Sequence, residues 1–197
     1  MKKFLIFTVI AFFGFALMNA QNINFGAKAG VNFASITGDD TDDLDMRTSL
    51  HVGVVAEIVI SETFSFQPEL LYSAQGAKES IENVDLTFKV DYLNLPLMAK
   101  FYVGEGFSLE AGPQIGFLLS SKFEGEEDGN SMSVDMKDYL KGIDFGLNLG
   151  FGYKLESGLN FGARYNFGFS DLNDSEEEFG TSSIKNSVIQ AYVGFFF

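Results

Sequence analysis

The stretch Phe25-Gly-Ala-Lys-Ala-Gly-Val-Asn-Phe33 decides the fold of this chain, because its residues alternate between two kinds. Aromatic and aliphatic residues fill one register, and glycine, Lys28 and Asn32 fill the other. Successive side chains of a β-strand point to opposite faces, so this segment predicts a strand with one apolar and one polar face.

The same alternation recurs along the chain and predicts eight strands, an even number as single-chain bacterial barrels require. The predicted strands are residues 23–36, 48–60, 64–75, 92–103, 107–119, 142–154, 159–170 and 187–197. Residues 61–63, 104–106 and 155–158 form short connections, whereas the other four connections run from 11 to 22 residues. This asymmetry is typical of an outer-membrane barrel with short periplasmic turns and long extracellular loops.

The alternative is a soluble eight-stranded barrel with an apolar interior, and side-chain volume decides against it. The apolar register holds fourteen phenylalanines, from Phe25 to Phe197, and the polar register holds eleven glycines, from Gly26 to Gly194. An eight-stranded barrel has room inside only for closely packed side chains, so the phenylalanines must face outward and the glycines inward. We therefore predict an all-β, eight-stranded antiparallel up-and-down transmembrane β-barrel.

The N-terminus resembles a secretory signal. Lys2 and Lys3 precede an apolar run over 4–17, and Met18, Asn19 and Ala20 follow, which fits cleavage before Gln21. The apolar run is shorter than the roughly 20 residues of a membrane span, which favours cleavage over an uncleaved anchor. The predicted organisation is a signal peptide over 1–20 and one outer-membrane β-barrel domain over 21–197, in a Gram-negative bacterium.

Composition limits the partners of the chain. There is no cysteine, which excludes disulfides, thiolate metal sites and a lipid-modified cysteine. The whole chain has 13 basic and 27 acidic residues, and loss of Lys2 and Lys3 with the signal leaves a net charge of −16. Such a charge repels nucleic acid. For the predicted barrel, the expected surroundings are outer-membrane lipid and lipopolysaccharide.

Eight charged residues fall in the polar register of the predicted strands, four of each sign. They are Lys28, Glu57, Glu69, Lys100, Glu110, Asp144, Lys154 and Arg164. Buried charges persist when they are paired and hydrogen-bonded, so we predict an ion-pair network that plugs the lumen together with inward amides. A gated pore lining is the alternative interpretation of the same residues.

The excess acid lies in the predicted long loops, which hold 20 acidic and 7 basic residues. The runs at Asp39–Asp45 and Glu176–Glu178 do not match the spacing of an EF-hand loop. We interpret them as a solvated surface whose charge is screened by loosely associated divalent cations. A specific calcium site is the alternative, and we assign no metal ligands.

No catalytic site is expected. His51 is the only histidine, and it stands in the polar register, whereas Thr48 and Ser49 are merely its neighbours in sequence. No glycine-rich phosphate loop, zinc spacing or dinucleotide motif is present. We predict a non-enzymatic protein without a cofactor.

Two local expectations concern proline and tyrosine. Pro68, Pro96 and Pro113 donate no ladder hydrogen bond, so bulges or near-terminal positions are expected there. The tyrosines near predicted strand ends, among them Tyr102 and Tyr192, are expected mostly in interfacial aromatic girdles.

Several stretches resemble the PorT-like outer-membrane β-barrel family of Bacteroidota. They are YLNLPLMAKFY at 92–102, AGPQIGFLLSSK at 111–122, GIDFGLNLGFGYKL at 142–155 and GARYNFGFSDL at 162–172. The chain end at Phe197 also resembles the C-terminal signal that the barrel-insertion machinery reads. The resemblance implies the barrel fold, and the family's namesake suggests a role in protein secretion, but it supplies no catalytic or ligand residues.

The sequence thus predicts a structural or surface-interaction protein with acidic loops as its contact surface. A narrow channel for small solutes, and an accessory of a protein secretion system, are the alternatives.

Overall fold

The computed structural model describes residues 23–39, 41, 44–81, 84–127, 130–173 and 183–197. The predicted signal peptide over 1–20, and the acidic residues at 40, 42–43 and 176–178, lie outside the described residues.

The described residues form nine strands and one short 3-10 helix at Lys137–Tyr139. The strands are β1 Ile23–Gly38, β2 Asp45–Ser61, β3 Phe64–Ile81, β4 Val84–Tyr102, β5 Phe107–Glu127, β6 Asn130–Asp135, β7 Ile143–Lys154, β8 Leu159–Gly168 and β9 Ile184–Phe196. In the part of the chain that the structure describes, no helix is long and apolar enough to cross a membrane.

Eight of these strands close into a ring of antiparallel pairs. The order is β1-β2-β3-β4-β5-β7-β8-β9, and β9 pairs back onto β1 from Gly26–Phe196 to Gly38–Ile184. Strand β6 stands outside the ring and pairs with the far end of β5. The predicted all-β, up-and-down, eight-stranded barrel is confirmed.

The apolar register faces outward and the polar register faces the lumen, as side-chain volume requires. Twelve of the fourteen outward phenylalanines are exposed in the isolated chain, as a lipid-facing surface must be, and Phe64 and Phe66 are half-buried. All eight predicted inward charges except Lys154 are buried.

Glycine makes room for large side chains inside. A Cβ added at Gly162 would lie 2.6 Å from the Tyr192 hydroxyl oxygen, and one added at Gly152 would lie 2.8 Å from it. These glycines leave the space that the inward Tyr192 ring occupies, which explains why small residues share a register with long ones.

The strands run past the predicted membrane segment at the end away from the short turns. Residues 76–81 and 84–91, predicted as part of a connection, are paired with each other, and β3 and β4 stay in register from Gln75–Val90 to Ile81–Val84. Likewise β5 continues to Glu127, and β6 pairs with it from Glu127–Asn130 to Lys122–Asp135. Much of the extracellular chain is therefore paired strand.

The expectation of bulges or terminal positions at the prolines is wrong. Across Pro68 the pairing of β2 and β3 passes from Val55–Glu69 to Ile58–Phe66 in the same register. The register is likewise unchanged across Pro96 and Pro113. Each proline thus removes one backbone N–H donor from the ladder without changing the register. The shifts in register lie elsewhere, between Asp91 and Tyr92 for example.

Candidate functional site

The lumen of the barrel holds the densest polar chemistry of the molecule, and its centre is the Glu69 carboxylate on β3. Arg164 on β8 binds it with two parallel hydrogen bonds, Nη1 to Oε2 and Nη2 to Oε1, each 2.9 Å long. The Lys28 ammonium on β1 lies 3.0 Å from Glu69 Oε2. Bidentate pairing with arginine is the strongest geometry available to a carboxylate, so Glu69 joins three strands across the lumen.

The network continues toward the end of the barrel that carries the short turns. Arg164 Nη2 also donates to Glu110 Oε2 at 2.9 Å. Lys100 lies 3.4 Å from Glu110 Oε1 and 3.7 Å from Glu57 Oε1, and Lys154 pairs with Glu57 Oε2. The result is one unbroken chain of ion pairs, Lys28, Glu69, Arg164, Glu110, Lys100, Glu57 and Lys154.

Each of the eight ring strands contributes at least one group to this network. The seven charges come from β1, β2, β3, β4, β5, β7 and β8, and Tyr192 on β9 donates its hydroxyl to Glu110 Oε1 at 2.9 Å. Lys28 Nζ also lies 3.8 Å from the centre of the Tyr192 ring. The ion-pair network therefore ties the whole ring together through its interior.

Tyr192 and Tyr102 correct the expectation of interfacial girdles. Both turn inward, and Tyr102 donates its hydroxyl to Glu57 Oε1. Tyr192 is buried and stands in the same register as Gln190. Strand parity was a sufficient signal for both residues, whereas position near a strand end was misleading.

Asp144 is the one predicted lumen charge that stands apart. Among the described residues it takes part in no ion pair, and its Oδ2 accepts a 2.9 Å hydrogen bond from Asn186 Nδ2. Asp144 lies six residues along β7 from Gly150, the partner of Arg164 across the ladder. Six strand residues span roughly 20 Å, which separates it from the network and leaves four cations with three carboxylates there.

An amide layer follows on the extracellular side of the ion pairs. Asn32 Oδ1 lies 2.7 Å from His51 Nδ1 and accepts from Gln190 Nε2 at 3.0 Å. Asn32 Nδ2 donates to Ser73 Oγ at 3.0 Å and to the Ala74 carbonyl at 2.7 Å. His51 points inward as predicted, lies opposite Ser73 in the β2–β3 ladder and is held at Nδ1 by the Asn32 amide.

An apolar cluster that the sequence did not reveal lies at the extracellular end of the lumen. Its buried members are Val90, Tyr92, Leu118, Leu140 and Leu172, with Phe88 and Ile184 packed against it. Two of them, Leu140 and Leu172, lie in connections, where no strand period marks a residue as inward. The lumen thus passes from ion pairs through amides to hydrocarbon.

Comparisons with known proteins agree with this architecture. Residues 19–174 match the family described as outer membrane protein beta-barrel domain. The fold is similar to that of Ail, the attachment invasion locus protein of Yersinia pestis, with 13% sequence identity, a TM-score of 0.54, and coverage of 89% of this chain and 99% of that one. It is also similar to Neisserial surface protein A, with 14% identity, a TM-score of 0.50, and coverage of 88% and 97%. No curated protein sequence matches the chain significantly.

Proposed function

Because the chain belongs to the family of outer membrane protein beta-barrel domains, we propose that it is a non-enzymatic structural or surface-interaction protein whose lumen is closed to ions. The observation that carries this proposal is the ion-pair network with at least one group from each ring strand. An open pore needs a continuous water path, whereas here the Arg164 and Glu69 side chains are fully buried at the centre of the lumen.

The network supports closure as well as stability. Arg164 on β8 reaches across the narrow barrel to Glu69 on the opposite strand β3 and to Glu110 on β5, and eight strands leave little space around its guanidinium. Opening a path would require Arg164 to leave Glu69 or Glu110, and an uncompensated buried charge is costly. The closed state is therefore the favoured state of the lumen.

Single-channel recording in planar bilayers tests the proposal. We expect no discrete currents from the wild-type barrel, and intermittent currents from Arg164→Ala, which removes the side chain that bridges two carboxylates. Asp144→Asn is the matched control, since it changes an inward charge outside the network and should stay silent. Steady currents from the wild type would overturn the closed lumen and establish the narrow channel instead.

The contact surface proposed for the protein is its acidic extracellular end. Residues 40, 42–43 and 176–178 are acidic, and they follow directly on strands and connections that rise beyond the lipid-facing belt. A variant with these residues changed to Asn and Gln should still insert as a barrel, but it should fail to restore the cell-surface phenotype of a deletion strain. Full complementation by the neutralised protein would contradict this part of the proposal.

Three partners belong to the same proposal. We expect outer-membrane lipid and lipopolysaccharide to contact the outward phenylalanines, and we expect the barrel-insertion machinery to bind the exposed C-terminal Phe197. Deletion of Phe197 should slow insertion in cells.

The finer kinship with PorT-like proteins rests on sequence resemblance alone. It predicts a secretion defect in a deletion strain, and normal secretion in that strain would contradict a role in secretion.

A further inference from the structure

An apolar cavity of about 260 Å³ lies at the extracellular end of the barrel. Its walls include Ile36 of β1, Ala77 of β3, Phe88 of β4, Phe123 of β5 and Ile184 of β9. Five of the ring strands thus present hydrocarbon to the same space. The cavity is distinct from the ion-pair network, which lies toward the other end of the lumen.

The floor of this extracellular cavity is closed. Leu140, Phe88 and Ile184 line it and also belong to or pack on the apolar cluster at the extracellular end of the lumen. The polar lining residues include Asp39 and Lys78, both exposed, so the cavity opens outward. A ligand would enter from the cell exterior and stop at the cluster.

Apolar walls at a water-facing opening are unfavourable unless something covers them, because hydrocarbon in water carries a free-energy cost. Small-molecule sites have this form: apolar walls with a few polar groups at the edge. An apolar cavity of about 150 Å³ binds benzene, so this cavity is large enough for one aromatic ring or a short alkyl chain.

The charge around the opening of the cavity decides which polar head group a ligand with an apolar tail can carry. Among the lining residues Asp39 and Glu79 outnumber Lys78. The chain leaves the lining residues Asp39 and Asn173 directly into segments with seven acidic residues and no basic one, at 40–43 and 174–182. A concentration of one sign of charge attracts the opposite sign, so an apolar group with a positive head fits and one with a negative head is repelled.

We propose that the extracellular cavity binds small cationic amphiphiles, with the alkyl chain or ring on the Leu140–Phe88–Ile184 floor and the cationic head at the Asp39 and Glu79 edge. The inference does not depend on whether the lumen conducts.

Binding of hexyltrimethylammonium to the barrel in lipid nanodiscs tests the proposal, measured by isothermal titration against empty nanodiscs. Tetramethylammonium carries the head without the chain, and hexanoate carries a chain of the same length with the opposite charge. We expect saturable binding of hexyltrimethylammonium at least tenfold tighter than that of either reference compound. Equal or tighter binding of hexanoate would overturn the charge selection.

Filling the cavity separates binding there from partition into lipid. Ala77→Trp places a large ring inside the cavity and should weaken binding at least tenfold. Val54→Trp is the matched control, because it adds the same ring to the lipid-facing surface and should leave binding unchanged. Ile184→Trp fills the cavity from β9 and serves if Ala77→Trp does not fold, as judged by heat-modifiable mobility in gels. Undiminished binding by a folded cavity-filled variant would overturn the site.

Discussion

Among single residues, substitution of Glu69 should cost the most stability, because Glu69 is the one ion-pair partner of Lys28 within the described residues and shares Arg164 with Glu110. Glu69→Gln keeps the shape of the side chain and removes its charge. Breaking a buried ion pair from one side destabilises by about 3–5 kcal/mol, and we expect a loss of that size in urea unfolding of the barrel in lipid vesicles.

Asp144→Asn is the control for that prediction, because Asp144 is buried but joins no ion pair among the described residues. Removing its charge removes the cost of burying a lone carboxylate. We expect unfolding free energy to stay the same or rise by up to about 1 kcal/mol. Equal losses from the two substitutions would show that the network has no special role.

Strand parity in the sequence was enough to place all eight charged residues on the inward face, because the side-chain period of a strand is two. It could not pair them, since pairing depends on stagger between strands. Glu110 lies opposite Gly150 in the ladder, for example, yet its carboxylate reaches Arg164 one strand further on. The glycine leaves the space through which this contact is made.

At the level of whole strands, the boundaries near the membrane were predictable and the extracellular extensions were not. Over 84–91 apolar and polar residues still alternate, but apolar residues such as Phe88 and Val90 now pack inward on the apolar cluster. The lipid-facing register therefore ends near the membrane boundary although the backbone pairing of β3 and β4 continues. The apolar cluster was hidden for a related reason, since Leu140 and Leu172 belong to connections without a period.

The extended hairpin makes a prediction about hydrogen exchange. Backbone amides of Ala77, Lys78 and Thr87 lie inside the β3–β4 ladder, so they should exchange much more slowly than those of Glu105 and Glu156 in the short turns. Paired backbone exchanges only when the pairing opens. Mass spectrometry of peptides over 76–91 and over 104–106 measures the difference. Exchange at the same rate in both would mean that the hairpin is not formed in solution.

Across the whole molecule, charge and hydrocarbon are sorted along the barrel axis and across its wall. The wall faces lipid with aromatic and aliphatic side chains, the periplasmic half of the lumen holds the ion pairs, and the extracellular half ends in the apolar cluster. This order places the ion pairs inside the ring, where all eight strands contribute to them. The extracellular end does not take part in the ion pairs, so its residues can differ in chemistry from those of the barrel below it.

The same sorting predicts how a new charge acts at different depths of the wall. Strand β7 spans Ile143–Lys154, close to the 9–11 residues that cross a bilayer, and the outward Leu149 lies near its middle. Arginine at the bilayer midplane costs about 2–4 kcal/mol and near an interface about 0–1 kcal/mol. Leu149→Arg should therefore destabilise the barrel by the larger amount in urea unfolding from lipid vesicles. Leu155→Arg should have only the smaller effect, because the similarly exposed Leu155 lies in the short turn after β7. Equal effects at the two positions would mean that the lipid-facing belt is not centred on Leu149.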